Sequence, residues 1–235
     1  MIPNAYPGKL FAFEGMDGCG KTMQLEMTDD WLRNLKQNPR HNFVVKREKE
    51  PGKERFWGGR IYQELNTPGG LHTTNPYGFQ AWYARDCKDH MPNTIRNLGV
   101  GSIVLMDRYR LSMVFGIPPQ LSSPDAKIKA LDELMKLNQA IVGEHFIWPD
   151  ASLIFDVPVE IAIARLKIKF EKAGRGTFDE YEKAGKLEIV RSNYQLFAGT
   201  YPNCHIVPAD GTPEEVFEKV KLIIEPIVWQ IPSSY

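Results

Sequence analysis

Five short apolar runs punctuate the chain, at residues 10–13, 42–46, 102–106, 151–155 and 204–207. Their apolar side chains follow one another without alternation, the pattern of strands covered on both faces. Between them lie segments with the spacing of amphipathic helices, at 20–35, 75–97, 125–142, 159–170 and 179–197, and a last one follows at 213–228. Strand–helix alternation of this kind predicts an α/β fold, a parallel sheet with helices on both faces. Ligands of such sheets sit beyond the carboxyl ends of the strands. The chain has 235 residues, 43% of them hydrophobic, and shows no repeat or low-complexity tract. A single domain over 1–235 is expected.

The residues just beyond the first run change the picture most. Gly15, Gly20, Lys21 and Thr22 match G-x-x-x-x-G-K-[ST] in full, with Met16, Asp17, Gly18 and Cys19 between the glycines. Glycines let the backbone wrap a phosphate, so that successive N–H groups point at its oxygens. The helix that starts near Gly20 adds its positive end. Lys21 is placed to reach the β- and γ-phosphates, and the Thr22 hydroxyl to ligate Mg²⁺. This predicts nucleoside-triphosphate binding. It does not name the reaction, because motors, GTPases and small-molecule kinases share the loop.

Composition narrows the partners. Lys plus Arg and Asp plus Glu both number 29, so the formal net charge is zero. A nucleic-acid polymer is therefore not an expected partner. Cys19, Cys87 and Cys204 are odd in number and unpaired in spacing, which argues against a disulfide framework and a zinc site. Residues 1–9 lack the basic and apolar segments of a secretory signal, and no apolar run reaches membrane-spanning length. A soluble, cytoplasmic protein is expected. The segment Asn-Lys-x-Asp, which reads guanine in GTPases, is absent from the sequence.

Further segments carry a family resemblance. Glu14-Gly15-Met16-Asp17 resembles the opening of thymidylate kinases. Glu50-Pro51-Gly52 resembles their Arg-Glu-Pro-Gly segment, with Lys49 at the arginine's place. Asp107-Arg108-Tyr109 followed by Ser112 resembles D-R-Y-x-x-S. Trp148-Pro149-Asp150, then Asp156-Val157-Pro158 and Arg165, is similar to P-D-L-x-x-x-L-D-V-P-x-x-x-A-x-x-R. Asp179-Glu180-Tyr181-Glu182 resembles the D-R-F-E after the lid. These pieces arrive in family order over roughly residues 9 to 212. The resemblance implies a P-loop kinase fold with a five-stranded parallel sheet and a small lid at about 165–180. It implies Mg²⁺-dependent transfer of the ATP γ-phosphate to dTMP, giving dTDP, with small-molecule nucleotides as ligands and a homodimer as the assembly.

The same resemblance implies roles. Asp17 would accept a hydrogen bond from the acceptor's 3′-hydroxyl. Arg60, Trp82, Arg85, Arg108 and Ser112 would line the acceptor site, with Trp82 or Phe79 standing in for the family's stacking phenylalanine, whose register lands on Ala81. Arg108 has the planar fork suited to the acceptor phosphate. A carboxylate at the end of the third strand, Asp107, can hold Mg²⁺ or its water. The P-loop has no arginine of its own, so Arg165, Lys169 or Arg175, within the cationic run 165–175, would cover the transferring phosphate. Cys19 reads as a small filler of the loop.

The pattern also fails in places. After Ser112 the family continues A-Y-Q-G, but this chain reads Met113-Val114-Phe115-Gly116. Lys49 and Glu180 depart as well. The rival readings are a deoxynucleoside kinase, a kinase of another deoxynucleoside monophosphate, and a catalytically inactive nucleotide-binding module.

Overall fold

The structure, a computed structural model, describes residues 2–35, 43–172 and 184–231. Its strands are β1 (Ile2–Pro3), β2 (Lys9–Glu14), β3 (Val45–Lys49), β4 (Ile103–Asp107), β5 (Ile147–Trp148), β6 (Ala151–Asp156) and β7 (Cys204–Pro208). Five of them form one sheet in the order β3-β4-β2-β6-β7, every neighbouring pair parallel. β1 and β5 make a separate parallel pair that the apolar pattern did not announce. The helices are α1 (Lys21–Leu35), α2 (Phe56–Leu65), α3 (Leu71–Thr74), α4 (Pro76–Gly99), α5 (Pro124–Val142), α6 (Val159–Lys172), α7 (Ala184–Ala198) and α8 (Pro213–Val228). A 3₁₀ segment, Arg110–Gly116, follows β4.

The three inner strands explain why the apolar runs were legible. Leu10 to Phe13, Ile103 to Met106 and Ala151 to Phe155 are all buried, because helices cover both faces. The outer strand β3 differs from the expected 42–46. Its paired residues are Val45 to Lys49, registered against Ile103 to Asp107, and Val45 alone of them is buried. Charged residues are at home on such an edge, so hydropathy placed the strand about three residues early. Asn42 lies outside the described residues.

Local chemistry sets the helix ends. Thr212 and Glu215 form a reciprocal capping box ahead of α8, with Pro213 at its first turn. Asn75 caps α4 by accepting from the Gly78 N–H at 2.8 Å, and Ser123 caps α5 from Ala126 at 3.1 Å. Of the expected helix 179–197, the described part begins at Ala184. Helix α2 was missed, because Gly58 and Gly59 lower its apparent propensity.

Candidate active site

The carboxyl ends of β2 and β4 are adjacent in the sheet, so the loops after them meet. After β2 the chain turns through Gly15, Gly18 and Gly20, all at positive φ. Gly18 also lies against α6, where a Cβ would sit 2.4 Å from the Ala162 carbonyl oxygen. That contact seats the phosphate loop on α6. Arg165, three residues on and on the same face, donates from Nη1 to the Cys19 carbonyl at 3.4 Å and from Nη2 to the Ala209 carbonyl at 3.1 Å.

Glu14 ends β2 and is fully buried. It accepts from the Tyr109 and Leu111 N–H groups at 2.9 and 3.1 Å, from Ser112 Oγ at 2.7 Å and from Tyr194 Oη at 3.1 Å. Burial pushes its carboxyl above the usual range, and the Ser112 hydrogen bond and the Arg108 charge pull the other way. Glu14 thus holds the segment after β4 against the phosphate loop. The sequence carried a signal for it, a carboxylate closing an otherwise apolar strand.

Asp17 stands between two cations. Lys21 Nζ lies 3.2 Å from its Oδ1, and Arg108 Nη2 lies 2.5 Å from the same atom. Burial alone would raise its carboxyl, but Arg108 and Lys21 hold it well below the usual carboxylate range. Arg108 itself is at φ 67°, donates from Nη1 to the Gly15 carbonyl at 3.0 Å and lies over the Phe115 ring at 5.0 Å. Ser112 Oγ is 3.5 Å from Arg108 Nη1. Asp107 does not pair with Arg108. Its Oδ2 takes Lys49 Nζ at 3.4 Å, and its Oδ1 is buried without a partner among the described residues. Cys19 is buried in the loop, and burial pushes its thiol up, which suits an inert filler.

Two cavities open on either side of this loop. One, of about 300 Å³, is walled by Asp107, Arg108, Ser112, Gln80, Tyr83 and Asn138 among others. The other, of about 560 Å³, is walled by Gly18, Gly20, Gln24, Arg165, Ala209 and Pro213 among others. Asp17, Lys21, Thr22 and Lys169 belong to both walls. The two spaces therefore meet at the P-loop lysine. Met16 is buried beneath the loop.

Three residues expected at the acceptor site do not border the smaller cavity. Arg60 is exposed on α2, with its guanidinium 4.7 Å from the Phe56 ring centre. Trp82 packs against Trp57 and Phe79, and Arg85 lies over Trp57 at 5.0 Å. None of the three borders the smaller cavity, and Gln80 and Tyr83 present that face of α4 instead. A helix one or two residues out of register turns a different face inward. Arg175, and the lid beyond residue 172, lie outside the described residues.

The loop after β3 is fixed to α4 by two charged clusters. Arg55 donates to buried Asp86 from Nε and Nη2, at 2.8 and 2.5 Å, and Asp86 also accepts from Gly52 N–H at 3.0 Å. His90 Nε2 lies 2.8 Å from Glu50 Oε1, and its Nδ1 lies 3.3 Å from Glu48 Oε2. Glu50, Cys87 and His90 place donor atoms within 4.8 Å of one another. However, the Arg110 guanidinium donates to Cys87 Sγ at 2.8 Å and two carboxylates hold His90, so the group reads as an ion-pair cluster rather than a metal site.

His90 gives a pH prediction. Burial opposes its charge, but Glu48 and Glu50 raise its pKa from 6.5 to about 9. A raised folded-state pKa contributes stability that is complete below pH 6.5 and lost as pH rises through 9. Urea unfolding at pH 6 and pH 9.5 should show the wild type losing about 2–3 kcal/mol more than His90→Gln over that window. Equal losses would mean that His90 is neutral in the folded protein.

A P-loop at the carboxyl edge of a parallel five-stranded sheet, with cavities meeting at its lysine, defines a P-loop nucleotide-binding protein. The family model described as thymidylate kinase matches residues 13–220. A thymidylate kinase of Caldicellulosiruptor saccharolyticus is 29% identical over 226 residues, covering 94% of this chain and 98% of that one. One from Oleidesulfovibrio alaskensis is 30% identical over 220 residues, covering 89% and 93%. The solved thymidylate kinase of Candida albicans superposes with a TM-score of 0.70 at 18% identity, covering 95% of this chain and 93% of that one, and so shares the fold. The chain belongs to the thymidylate kinase family.

Proposed function

We propose that the protein transfers the γ-phosphoryl group of ATP to dTMP in a Mg²⁺-dependent reaction. The observation that carries this reading is the shared wall. Lys21 and Thr22 border both cavities, so a donor phosphate chain in one can meet an acceptor in the other at a single point. Phosphoryl transfer needs positioning and charge stabilisation more than covalent chemistry. ATP takes the larger cavity, its phosphates wrapped by the loop from Gly15 to Thr22. dTMP takes the smaller one, with its phosphate toward Arg108 and its 3′-hydroxyl toward Asp17.

Thr22 and Asp107 fit a magnesium site. Both border the smaller cavity, both offer the hard oxygen ligands that Mg²⁺ takes, and Asp107 Oδ1 is buried without a partner among the described residues. Held there by Thr22 and Asp107, the ion would supply neutralisation of the triphosphate's charge. Arg165 and Lys169, one helical turn apart on α6, are the described cations closest in role to a lid. Replacing either by Ala should lower kcat more than ATP affinity, because charge on the transferring group grows in the transition state. Loss of affinity with kcat kept would reduce them to ground-state binders. A homodimer and a cytoplasmic setting accompany this reading; among the described residues no helix is long and apolar enough to cross a membrane.

Turnover with ATP and a panel of dTMP, dUMP, dCMP and dGMP tests the proposal. dTMP should be used best. A clear win for dGMP or dCMP would keep the kinase and change its acceptor. No turnover with any of them, in a protein that binds ATP, would leave an inactive binding module.

A further inference from the structure

We propose that Gln80, together with Asn138, reads the hydrogen-bonding edge of the acceptor base and selects an imide edge, an N–H beside a carbonyl oxygen. The inference rests on the reading of the smaller cavity as the nucleotide-acceptor site. Gln80 is 2% exposed and borders that cavity from α4. Its side-chain amide makes no hydrogen bond to another described residue, and it is not sealed in the core but opens on the cavity. Buried amides are costly without partners, so an amide facing a cavity in this state is set for a ligand.

The surroundings fix where it points. A Cβ on Gly116 would lie 2.4 Å from Gln80 Cγ and 3.2 Å from Leu134 Cδ1. Only a glycine there lets the Gln80 side chain lie across the 3₁₀ segment beside α5. One turn along α5 from Leu134, Asn138 borders the same cavity and is 4% exposed. Its Nδ2 donates to the Leu134 carbonyl at 3.0 Å. A carbonyl can only accept, so this bond fixes the orientation of the Asn138 amide and leaves Oδ1 as an acceptor. Gln80 has both a donor and an acceptor to offer.

An acceptor from α5 and a donor from α4 on the wall of one cavity match thymine or uracil, whose N3–H lies next to O4. Cytosine presents a lone pair at N3 where the acceptor sits. Guanine also has an N–H beside a carbonyl, but it is larger, and a cavity of about 300 Å³ is at the small end of ligand sites. Val114 and Phe115 stand where thymidylate kinases carry a tyrosine and a glutamine before the glycine. Here α4 restores the missing amide, packed on the glycine that remains.

The test compares wild type with Gln80→Leu and with the isosteric Gln80→Glu. Calorimetry would measure binding of dTMP, dCMP and ATP, and steady-state turnover would measure kcat/KM for the two acceptors. Gln80→Leu should lower affinity and kcat/KM for dTMP by about 10- to 100-fold and change dCMP less than about threefold. Gln80→Glu, which cannot donate to O4, should move the dTMP:dCMP ratio toward dCMP by about tenfold or more. ATP affinity should not change in either. A wild-type dTMP:dCMP ratio in variants that bind ATP normally would overturn the proposal, and Gln80→Glu preserves shape should the leucine not fold. Gln80-dependent base preference in binding, without turnover in the wild type, would uphold this inference and sink the kinase reading. Failure of the wild type to bind either nucleotide would sink both.

Discussion

Lys21→Ala should fold and should lose phosphoryl transfer by at least roughly 10²–10³-fold, the effect of removing one preorganised charged donor from a phosphoryl site. Lys21 is buried at the start of α1, and its ammonium borders both cavities. Its partner in the structure is Asp17, at 3.2 Å. Asp17 keeps Arg108 at 2.5 Å when Lys21 is removed, so the carboxylate is not stranded and the fold survives. ATP binding should weaken less than kcat falls, since the backbone N–H groups of the loop still cradle the phosphates. Thermal unfolding, ATP calorimetry and turnover with dTMP measure the three effects. Unchanged turnover in a folded variant would remove the P-loop from the reaction.

How much of this was legible in the sequence depended on whether burial was two-sided. The inner strands β2, β4 and β6 are covered on both faces and read directly as apolar runs. β3, at the edge, carries Lys46, Arg47 and Lys49 in its ladder and was misplaced. The P-loop was readable in full because its chemistry is local: glycine conformations, one lysine and one hydroxyl within eight residues. The wall of the smaller cavity is assembled from α4, α5 and the segment after β4 among other parts of the chain, and its composition depends on helix register. The expected Trp82 and Arg85 lie two positions along α4 from Gln80 and Tyr83, the residues that border the cavity. Asn138 had no sequence signal at all, being one polar residue on an amphipathic helix. Glu14 and Ser112 show a third case. The motif quoted both, yet their mutual bond at 2.7 Å is a tertiary fact that no spacing discloses. Likewise, Asp107 and Arg108 are neighbours in sequence but pair with Lys49 and Asp17 respectively.

Arg108→Met should abolish the preference for a phosphorylated acceptor. Arg108 and Arg110 both border the smaller cavity; Arg108 is the one paired with Asp17, and its side chain is 13% exposed. A fork contact to a phosphate dianion in such a place contributes about 2–5 kcal/mol. Wild-type kcat/KM should therefore favour dTMP over thymidine by a factor of that size, and the variant should lose most of it through dTMP alone. Equal use of thymidine by the wild type would mean a nucleoside kinase and a mistaken role for Arg108. The variant also has a stability signature, because the same guanidinium depresses the Asp17 carboxyl below its ordinary 3.8. A depressed folded-state pKa stabilises above the unfolded value and is lost as pH falls through the folded one. The wild type should thus exceed Arg108→Met by about 1–2 kcal/mol at pH 7, less than a fully buried pair because the Asp17 side chain is 30% exposed and retains Lys21. That margin should begin to narrow as pH falls through the ordinary 3.8, where Asp17 takes up a proton in the unfolded chain, and should go on narrowing down to the depressed folded-state value. A margin independent of pH would assign the loss to packing on Phe115, whose ring the guanidinium covers at 5.0 Å, rather than to charge.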